Sequence, residues 1–308
     1  MPGSASRAAV SRRRPVLGRV RTWILASRPA TLPAAVVPVV VGSAVARAAG
    51  AFRAGPAIAA LIGALLIQVG TNLSNDVADF EKGADHDGRI GPLRVTQAGL
   101  LTPRAVRIGM CVAFALATSC GVYLARAAGP AVFVIGGASI AAGILYTAGP
   151  FPLGYNGLGD LFVMIFFGFV AVCGTAWVEA RTVPSAAWYA AVPVGALITA
   201  ILVVNNIRDA ASDGISGKRT IAVRFGRTAA RGEYIALLAA AYLVPLILAM
   251  LRLASRWVLL TFATLPLAIR LARIVGRSDD GPALNRCLAG TARLALLHGA
   301  LFAAGLIS

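Results

Sequence analysis

The chain has 308 residues, of which 58% are hydrophobic and only 13% charged, and its formal net charge is +17. Its mean hydropathy is +0.79. Soluble domains are about 45–50% apolar and about 25% charged, so the composition excludes an ordinary soluble protein and predicts an integral membrane protein. The apolar runs are long and continuous, whereas the strands of a membrane β-barrel alternate apolar and polar residues, so the spans are predicted to be helices.

Nine membrane helices are predicted, because a helix needs about 20 apolar residues to cross a bilayer. In chain order the predicted spans are 23–47, 57–78, 105–125, 130–148, 158–178, 186–207, 233–252, 256–275 and 287–306. Pro29, Pro33 and Pro38 interrupt the first span and predict a kink there. We therefore expect an all-α, polytopic membrane domain over residues 23–308, preceded by a basic, disordered cytoplasmic segment over residues 1–22.

The distribution of basic residues predicts the orientation of the bundle. With the N-terminus in the cytoplasm, nine spans place 22 lysines and arginines on the cytoplasmic side and six on the other side. This asymmetry is typical of membrane proteins, whose cytoplasmic loops carry the excess of Lys and Arg. We expect a multi-pass protein of the cytoplasmic (inner) membrane with its C-terminus outside. The basic balance follows this topology and does not indicate a nucleic-acid partner.

Two acidic motifs lie at the predicted cytoplasmic ends of membrane helices, although the chain has only twelve Asp and Glu residues. NLSNDVAD, after the second span, contains Asp76 and Asp79, and NNIRDAASD, after the sixth span, contains Asp209 and Asp213. In both motifs an Asn-x-x-x-Asp pair is followed by another Asp three or four residues on. Residues at this spacing share one face of a helix, so each motif is predicted to present a polar stripe.

A positive partner is expected for these carboxylates, since a charged side chain inside the bilayer costs on the order of 2–3 kcal/mol. Carboxylate and amide oxygens are the ligands that Mg²⁺ prefers, and Mg²⁺ commonly shares its shell with substrate phosphates. Neighbouring basic side chains are the alternative partners. Arg94, Lys218 and Arg219 follow the motifs on the same loops and are candidates for binding phosphate oxygens.

Four segments together resemble the UbiA superfamily of intramembrane aromatic prenyltransferases, and the resemblance covers nearly the whole chain. Within the superfamily, the chain is most similar to the branch that prenylates 1,4-dihydroxy-2-naphthoate in menaquinone biosynthesis. The segments are ASRPATLPAAVVPVVVGSA, NDVADFEKGAD with GPLRVTQAGLLTP, LYTAGPFPLGYNGLGDLFVMIFFGFVAVCGTAWV, and NNIRDAASDGISGKRTIAVRFGR.

The resemblance implies a nine-helix bundle with a central cavity and a polyprenyl diphosphate donor bound through Mg²⁺ to both acidic motifs. The metal ligands that it implies are Asn72, Asp76, Asp79, Asp209 and Asp213. The four aspartates are also the implied catalytic residues, and Asn72 is also an implied substrate-binding residue. Arg94 and Lys218, with Arg219, would bind the diphosphate. The superfamily pattern places a third acid at Gly83, whereas the next acid of this chain is Asp85.

The reaction implied by the resemblance joins the polyprenyl group to 1,4-dihydroxy-2-naphthoate with loss of CO₂ and diphosphate, which gives demethylmenaquinol. Tyr146 and Tyr155 are predicted either to stabilise the allylic cation or stack on the acceptor, or to belong to an interfacial aromatic belt. Asp160 is predicted either to contact the acceptor hydroxyl or to cap the fifth helix. Asn206 is a candidate for positioning a ligand, with packing against a neighbouring helix as the alternative.

Two other functions remain open from the sequence. The first is prenyl transfer to a different aromatic acceptor, such as 4-hydroxybenzoate, which uses the same donor chemistry. The second is a secondary transporter, in which repeated motifs and acidic residues within helices also occur. A transporter would place its charges near the midplane of the membrane, whereas the acidic motifs here are predicted to lie at one edge beside basic residues.

Overall fold

The computed structural model describes residues 18–83 and 93–308, and these residues form helices and connecting turns without a β-strand. The predicted all-α fold class is thereby confirmed. The helices are α1 (Arg19–Ser27), α2 (Pro33–Ala48), α3 (Ala54–Glu81), α4 (Pro103–Ala128), α5 (Ala131–Leu145), α6 (Gly159–Val163), α7 (Ala171–Ala180), α8 (Ser185–Ile215), α9 (Ile221–Arg224), α10 (Gly226–Met250), α11 (Leu265–Arg277) and α12 (Gly281–Ile307).

Within the described residues, seven helical segments are long and apolar enough to cross a membrane. A π-helix, Met164–Val170, joins α6 to α7, and a 3₁₀ segment, Arg256–Thr264, precedes α11, so that each forms one span with its neighbours. The predicted count of nine is close but is not reproduced. The predicted fourth span, 130–148, is the 15-residue helix α5, which is shorter than the roughly 20 residues that a full crossing needs.

The first predicted span is broken at the prolines. The segments Arg19–Thr31 and Pro33–Ala48 meet at an angle of 55°, and counted together they would make an eighth span. Arg28 at the break has a left-handed backbone with φ of 51°, and Pro33 begins α2. Of the segment predicted to be disordered, residues 1–17 lie outside the described residues. Residues 19–22 belong to α1, because that helix begins at Arg19.

Helix α8 occupies the centre of the bundle and is the most buried of the seven long segments. One apolar cluster joins α8 to α10, α11 and α12, and a second joins it to α2, α7 and α12. The π-helix packs directly on α8, since a Cβ added to Gly168 would lie 3.0 Å from Gly195 Cα. The C-terminal ends of α3 and α8 carry the two acidic motifs, and we call that side of the bundle the acidic end.

Candidate active site

The first acidic motif lies in the last three turns of α3, where Asp76 and Asp79 are both buried. Asp76 accepts hydrogen bonds from the backbone N–H groups of Val95 (3.2 Å) and Thr96 (3.1 Å). Asp79 Oδ2 pairs with Arg94 Nη2 at 2.5 Å. Residues 94–96 therefore lie against the end of α3, where Arg94 pairs with Asp79 and two backbone N–H groups bind Asp76.

Two other basic or amide groups complete this half of the site. Arg28, at the break in the first span, lies 3.7 Å from Asp76 Oδ2. The Asn72 amide donates to Ser27 O (3.0 Å) and Thr31 Oγ1 (2.9 Å). The kink in the first span thus brings an arginine to the first motif and connects the span to α3.

The second acidic motif lies at the C-terminal end of α8, and Asp209 and Asp213 are both buried there. Arg208 binds Asp209 in a bidentate manner, with Nε at 2.7 Å from Oδ1 and Nη2 at 2.6 Å from Oδ2. Asn205 and Asn285 accept the remaining donors of Arg208, at 2.7 and 2.6 Å. Lys218 Nζ lies 3.2 Å from Asp213 Oδ1. Each motif therefore contributes two buried carboxylates that already face cations.

The loop between α5 and α6 connects the first motif to the segment that follows the second motif. Tyr155 donates its hydroxyl to Asp79 Oδ1 at 2.8 Å, while its carbonyl accepts from the Arg219 N–H at 2.8 Å. The Lys218 ammonium lies over the Tyr155 ring, 5.0 Å from its centroid. Burial and the Asp79 carboxylate raise the pKa of Tyr155 above its ordinary value, so its hydroxyl stays protonated and donates to Asp79 at neutral pH.

A second polar group lies beside the motifs, where α6 meets α8. Asp160 and Asn206 are both buried, and the Asn206 amide lies 3.3 Å from Asp160 Oδ1. Tyr146 lies next to them, since a Cβ added to Gly159 would be 2.9 Å from the Tyr146 hydroxyl. Asp160 is in the first turn of α6, as the capping alternative requires, and its carboxylate also accepts from the Asn206 amide, so the structure is compatible with both alternatives.

An apolar cavity of about 240 Å³ lies between α2, α3, α4, α5 and the α6–α7 segment. Tyr146, Gln68 and Thr71 line it near the acidic end. Leu124 and Val132 line it at the distal end, where they pack with Val178 and Trp177 in one buried cluster. The cavity thus runs from the neighbourhood of the acidic end towards a buried apolar cluster, and its apolar lining suits an isoprenoid chain.

The structure brings the predicted site residues together at the acidic end, with one distinction among them. Arg219 is exposed, and its backbone N–H makes its contact with Tyr155, so its side chain is the least engaged of the set. Asp85 lies outside the described residues. Sequence reasoning gave no specific role to Arg28, Lys82 or Arg208. Arg208 could have been found from its position directly before Asp209, whereas Arg28 and Lys82 reach the site only through the fold.

The chemistry of the donor set fits Mg²⁺, because the two motifs supply four buried carboxylates at one end of the bundle. Within residues 18–83 and 93–308, no three or more His, Cys, Asp and Glu side chains form a cluster that could hold a metal ion. An incomplete protein shell is typical of Mg²⁺ sites that share a substrate diphosphate. The metal-binding roles of the five predicted ligands stay predictions.

A helical membrane bundle with paired acidic motifs above an apolar cavity defines an intramembrane enzyme class that acts on a lipid diphosphate. Residues 35–297 match the UbiA prenyltransferase family, which is most of the chain. The chain belongs to that family.

Curated relatives match the chain over nearly its full length. It is 37% identical over 296 residues to 1,4-dihydroxy-2-naphthoate octaprenyltransferase of Escherichia coli (strain K12). This match covers 94% of this chain and 96% of the relative. It is 38% identical over 286 residues to the protein of the same name from Mycobacterium tuberculosis (strain ATCC 25618 / H37Rv), covering 93% of this chain and 96% of the relative.

Solved structures share the fold. An apo UbiA homolog from Aeropyrum pernix K1 has a TM-score of 0.68 at 17% identity, with 94% of this chain and 98% of that chain covered. A UbiA homolog from Archaeoglobus fulgidus bound to DMAPP and Mg²⁺ has a TM-score of 0.64 at 18% identity, with 93% of this chain and 99% of that chain covered. At these identities the likeness establishes the fold alone.

Proposed function

We propose that this protein transfers a polyprenyl group from polyprenyl diphosphate to 1,4-dihydroxy-2-naphthoate, with loss of CO₂ and diphosphate, in menaquinone biosynthesis. The observation that carries the proposal is that Tyr155 links the first acidic motif to the segment following the second one, at the end of the bundle where Tyr146 lines an apolar cavity. The names of the relatives at 37% and 38% identity support the choice of acceptor.

The proposed cofactor is Mg²⁺, held by Asp76 and Asp79 from α3 and by Asp209 and Asp213 from α8. Asn72 would contribute its carbonyl oxygen, since its amide nitrogen is engaged by the first span. When bound, Mg²⁺ supplies positive charge that stabilises the departing diphosphate. The Archaeoglobus fulgidus homolog bound to DMAPP and Mg²⁺ supports this assignment at the level of the family.

Basic side chains of the chain provide the second source of positive charge. Arg94 and Lys218 each lie within 3.2 Å of a motif carboxylate, so both have side chains already directed to the acidic end. We propose that they bind oxygens of the diphosphate, Arg94 through its planar fork and Lys218 as a point charge. Arg219 is exposed on the same loop and would join them from the solvent side.

The cavity and the Asp160–Asn206 pair account for the rest of the reaction. The apolar wall, which includes Phe162 and Phe166, excludes water from the allylic cation that forms as the C–O bond breaks. The Tyr146 ring lines the same cavity near the acidic end and is placed to stabilise that cation or to stack on the acceptor. Asp160, oriented by Asn206, is proposed to accept a hydrogen bond from the acceptor hydroxyl.

The distribution of Lys and Arg supports an orientation in which the acidic end faces the cytoplasm. We propose that the N-terminus is cytoplasmic, that the C-terminus is outside, and that the active site opens to the cytoplasm of a cell with menaquinone in its inner membrane. Thiol labelling of single-cysteine variants in intact cells tests the orientation. Labelling of an introduced Ser308→Cys by an impermeant reagent is expected, and protection of that thiol would contradict it.

The function is tested with purified protein in detergent. The protein receives polyprenyl diphosphates of several lengths and Mg²⁺, with either 1,4-dihydroxy-2-naphthoate or 4-hydroxybenzoate as the acceptor. We expect mass spectrometry to detect a prenylated naphthol, accompanied by CO₂ release. Detection of a prenylated hydroxybenzoate would instead assign the other acceptor. Asp76→Ala and Asp209→Ala are expected to abolish transfer while the protein stays in the membrane. Near-normal turnover of either variant at saturating Mg²⁺ would remove the metal assignment.

A further inference from the structure

Tyr155 contacts the first acidic motif and the segment that follows the second one, although it belongs to neither motif. Its hydroxyl donates to Asp79 on α3, and its carbonyl accepts from Arg219, which follows α8 in the chain. The next residue, Asn156, continues the second connection, because its carbonyl accepts from Arg224 Nη2 at 3.1 Å. The α5–α6 loop is therefore hydrogen-bonded to α3 and to the segment, including α9, that follows α8 in the chain.

The Tyr155 ring also places two ammonium groups. Lys82 Nζ lies 4.7 Å from the ring centroid, and Lys218 Nζ lies 5.0 Å from it. The negative faces of an aromatic ring attract cations, so the ring stabilises two like charges that repel each other. Lys82 comes from the end of α3 and Lys218 from the loop after α8, so these contacts repeat the connection that the hydroxyl and the carbonyl make.

Close backbone approaches hold Tyr155 in this position. Gly157 has φ of +78°, and a Cβ added there would lie 2.6 Å from Arg219 O. A Cβ on Gly154 would lie 2.9 Å from the Tyr146 ring. An interfacial belt tyrosine needs neither a carboxylate partner nor a loop built around such contacts, so membrane anchoring alone does not explain this arrangement.

We propose that Tyr155 is a positioning residue for the diphosphate site. Its hydroxyl orients the Asp79 carboxylate, and its ring holds Lys82 and Lys218 where their ammonium groups face a bound diphosphate. The role rests on the proposed function, in which Asp79 is a metal ligand and Lys218 binds the diphosphate. Loss of a hydrogen bond to a metal-ligating carboxylate typically changes metal affinity by about 10- to 100-fold. We therefore expect the hydroxyl to affect the affinity for Mg²⁺ and the ring to affect the affinity for diphosphate, so the two effects are separable.

Two substitutions separate these effects, and a third is the control. Tyr155→Phe keeps the ring and removes the hydroxyl, whereas Tyr155→Leu removes both. Tyr189→Phe removes the hydroxyl of an exposed tyrosine near the start of α8, at the other end of that helix from the acidic motif. Each variant is purified in detergent, and its thermal unfolding without ligand is compared with that of the wild type to establish that it folds.

Binding is measured by titrating inorganic diphosphate and Mg²⁺ into the purified proteins and following heat or the unfolding temperature. Tyr155→Phe is expected to raise the half-saturating Mg²⁺ concentration about tenfold while its diphosphate affinity at saturating Mg²⁺ stays within about threefold. Tyr155→Leu is expected to weaken diphosphate binding by about a further tenfold. Tyr189→Phe is expected to match the wild type. Transfer assays should show the same division, with KM for the donor changing more than kcat.

The proposal is overturned if a folded Tyr155→Phe titrates with Mg²⁺ like the wild type, or if Tyr155→Leu binds diphosphate as tightly as Tyr155→Phe. Its failure is distinct from failure of the proposed function. If the wild type produces prenylated naphthol while the Tyr155 variants bind normally, the positioning role alone is wrong. If the wild type binds Mg²⁺ and diphosphate through Tyr155 but transfers nothing to the naphthoate, the acceptor alone is wrong.

Discussion

The Arg208–Asp209 pair gives the sharpest prediction about stability at the acidic end. Both side chains are buried, with relative exposures of 4% and 7%, and two hydrogen bonds of 2.7 and 2.6 Å join them. Replacing Arg208 with Leu leaves the Asp209 carboxylate buried without its bidentate partner. Removing one member of a buried pair costs about 3–5 kcal/mol of unfolding free energy, because the remaining charge keeps its desolvation penalty.

The double variant is expected to behave in the opposite way to the single variant. Arg208→Leu with Asp209→Leu removes both charges, and replacing a buried pair with apolar side chains of similar volume is often nearly neutral. The double variant should therefore regain most of the stability that the single variant loses, while remaining inactive. The matched control is Arg219→Leu, which removes an exposed arginine from a neighbouring loop and should change stability by under about 0.5 kcal/mol.

Thermal unfolding in detergent, followed by circular dichroism, measures these differences. A loss of 3–5 kcal/mol should lower the unfolding temperature of Arg208→Leu by on the order of 10 °C relative to the wild type. The reasoning is refuted if Arg208→Leu unfolds within about 2 °C of the wild type, or if the double variant is as unstable as the single one. The first result would mean that the pair is solvated, and the second that Arg208 acts through packing.

Three further predictions concern the cavity, the α5–α6 loop and the surface. Trp177→Ala opens the buried apolar cluster at the distal end of the cavity. It should raise kcat/KM for donors with longer polyprenyl chains relative to that for shorter ones, as measured by mass spectrometry of the products. An unchanged ratio of long-chain to short-chain products would contradict this prediction. Gly157→Ala forces a side chain into a left-handed backbone and against Arg219 O. The variant should therefore lose at least about 1–2 kcal/mol of unfolding free energy, measured by thermal unfolding, and its KM for the donor should rise. Wild-type values for both quantities would count against this prediction. Glu81→Gln breaks an exposed pair with Arg107 and should change stability by under about 1 kcal/mol, so a loss of several kcal/mol would show that this pair is not a surface one.

Hydropathy and the duplicated Asn/Asp pattern predict much of this fold and site. Continuous apolar runs locate the long helices, because the lipid requires about 20 residues per crossing. The spacing of Asp76 and Asp79, and of Asp209 and Asp213, places each pair at a helix end, and the structure shows both pairs buried there. The helix predicted over 130–148 is shorter in the structure, where α5 ends at Leu145, since hydropathy records only that a run is apolar and not where the helix ends.

The partners of the carboxylates could not be predicted. Arg28 lies in a left-handed turn between α1 and the 3₁₀ segment Pro29–Thr31, and its contact with Asp76 depends on how this segment packs against α3. Tyr155 reaches Asp79 across 76 positions of sequence, a contact that exists only once α3, α5 and α6 have packed. Long-range side-chain contacts of this kind are set by tertiary structure, so no local pattern around Tyr155 indicates them.

The glycine contact between the π-helix and α8 has a mechanical consequence. Gly168 and Gly195 let two backbones touch without side chains between them, so no rotamer change can absorb a relative displacement at that crossing. The π-helix contributes Phe166 to the cavity wall, and α8 carries Asp209 near its C-terminal end. A tilt of α8 would therefore move Phe166 of the cavity wall and the Asp209 carboxylate together. The isoprenoid chain and the diphosphate of a bound donor would then keep their relative positions when the helices shift.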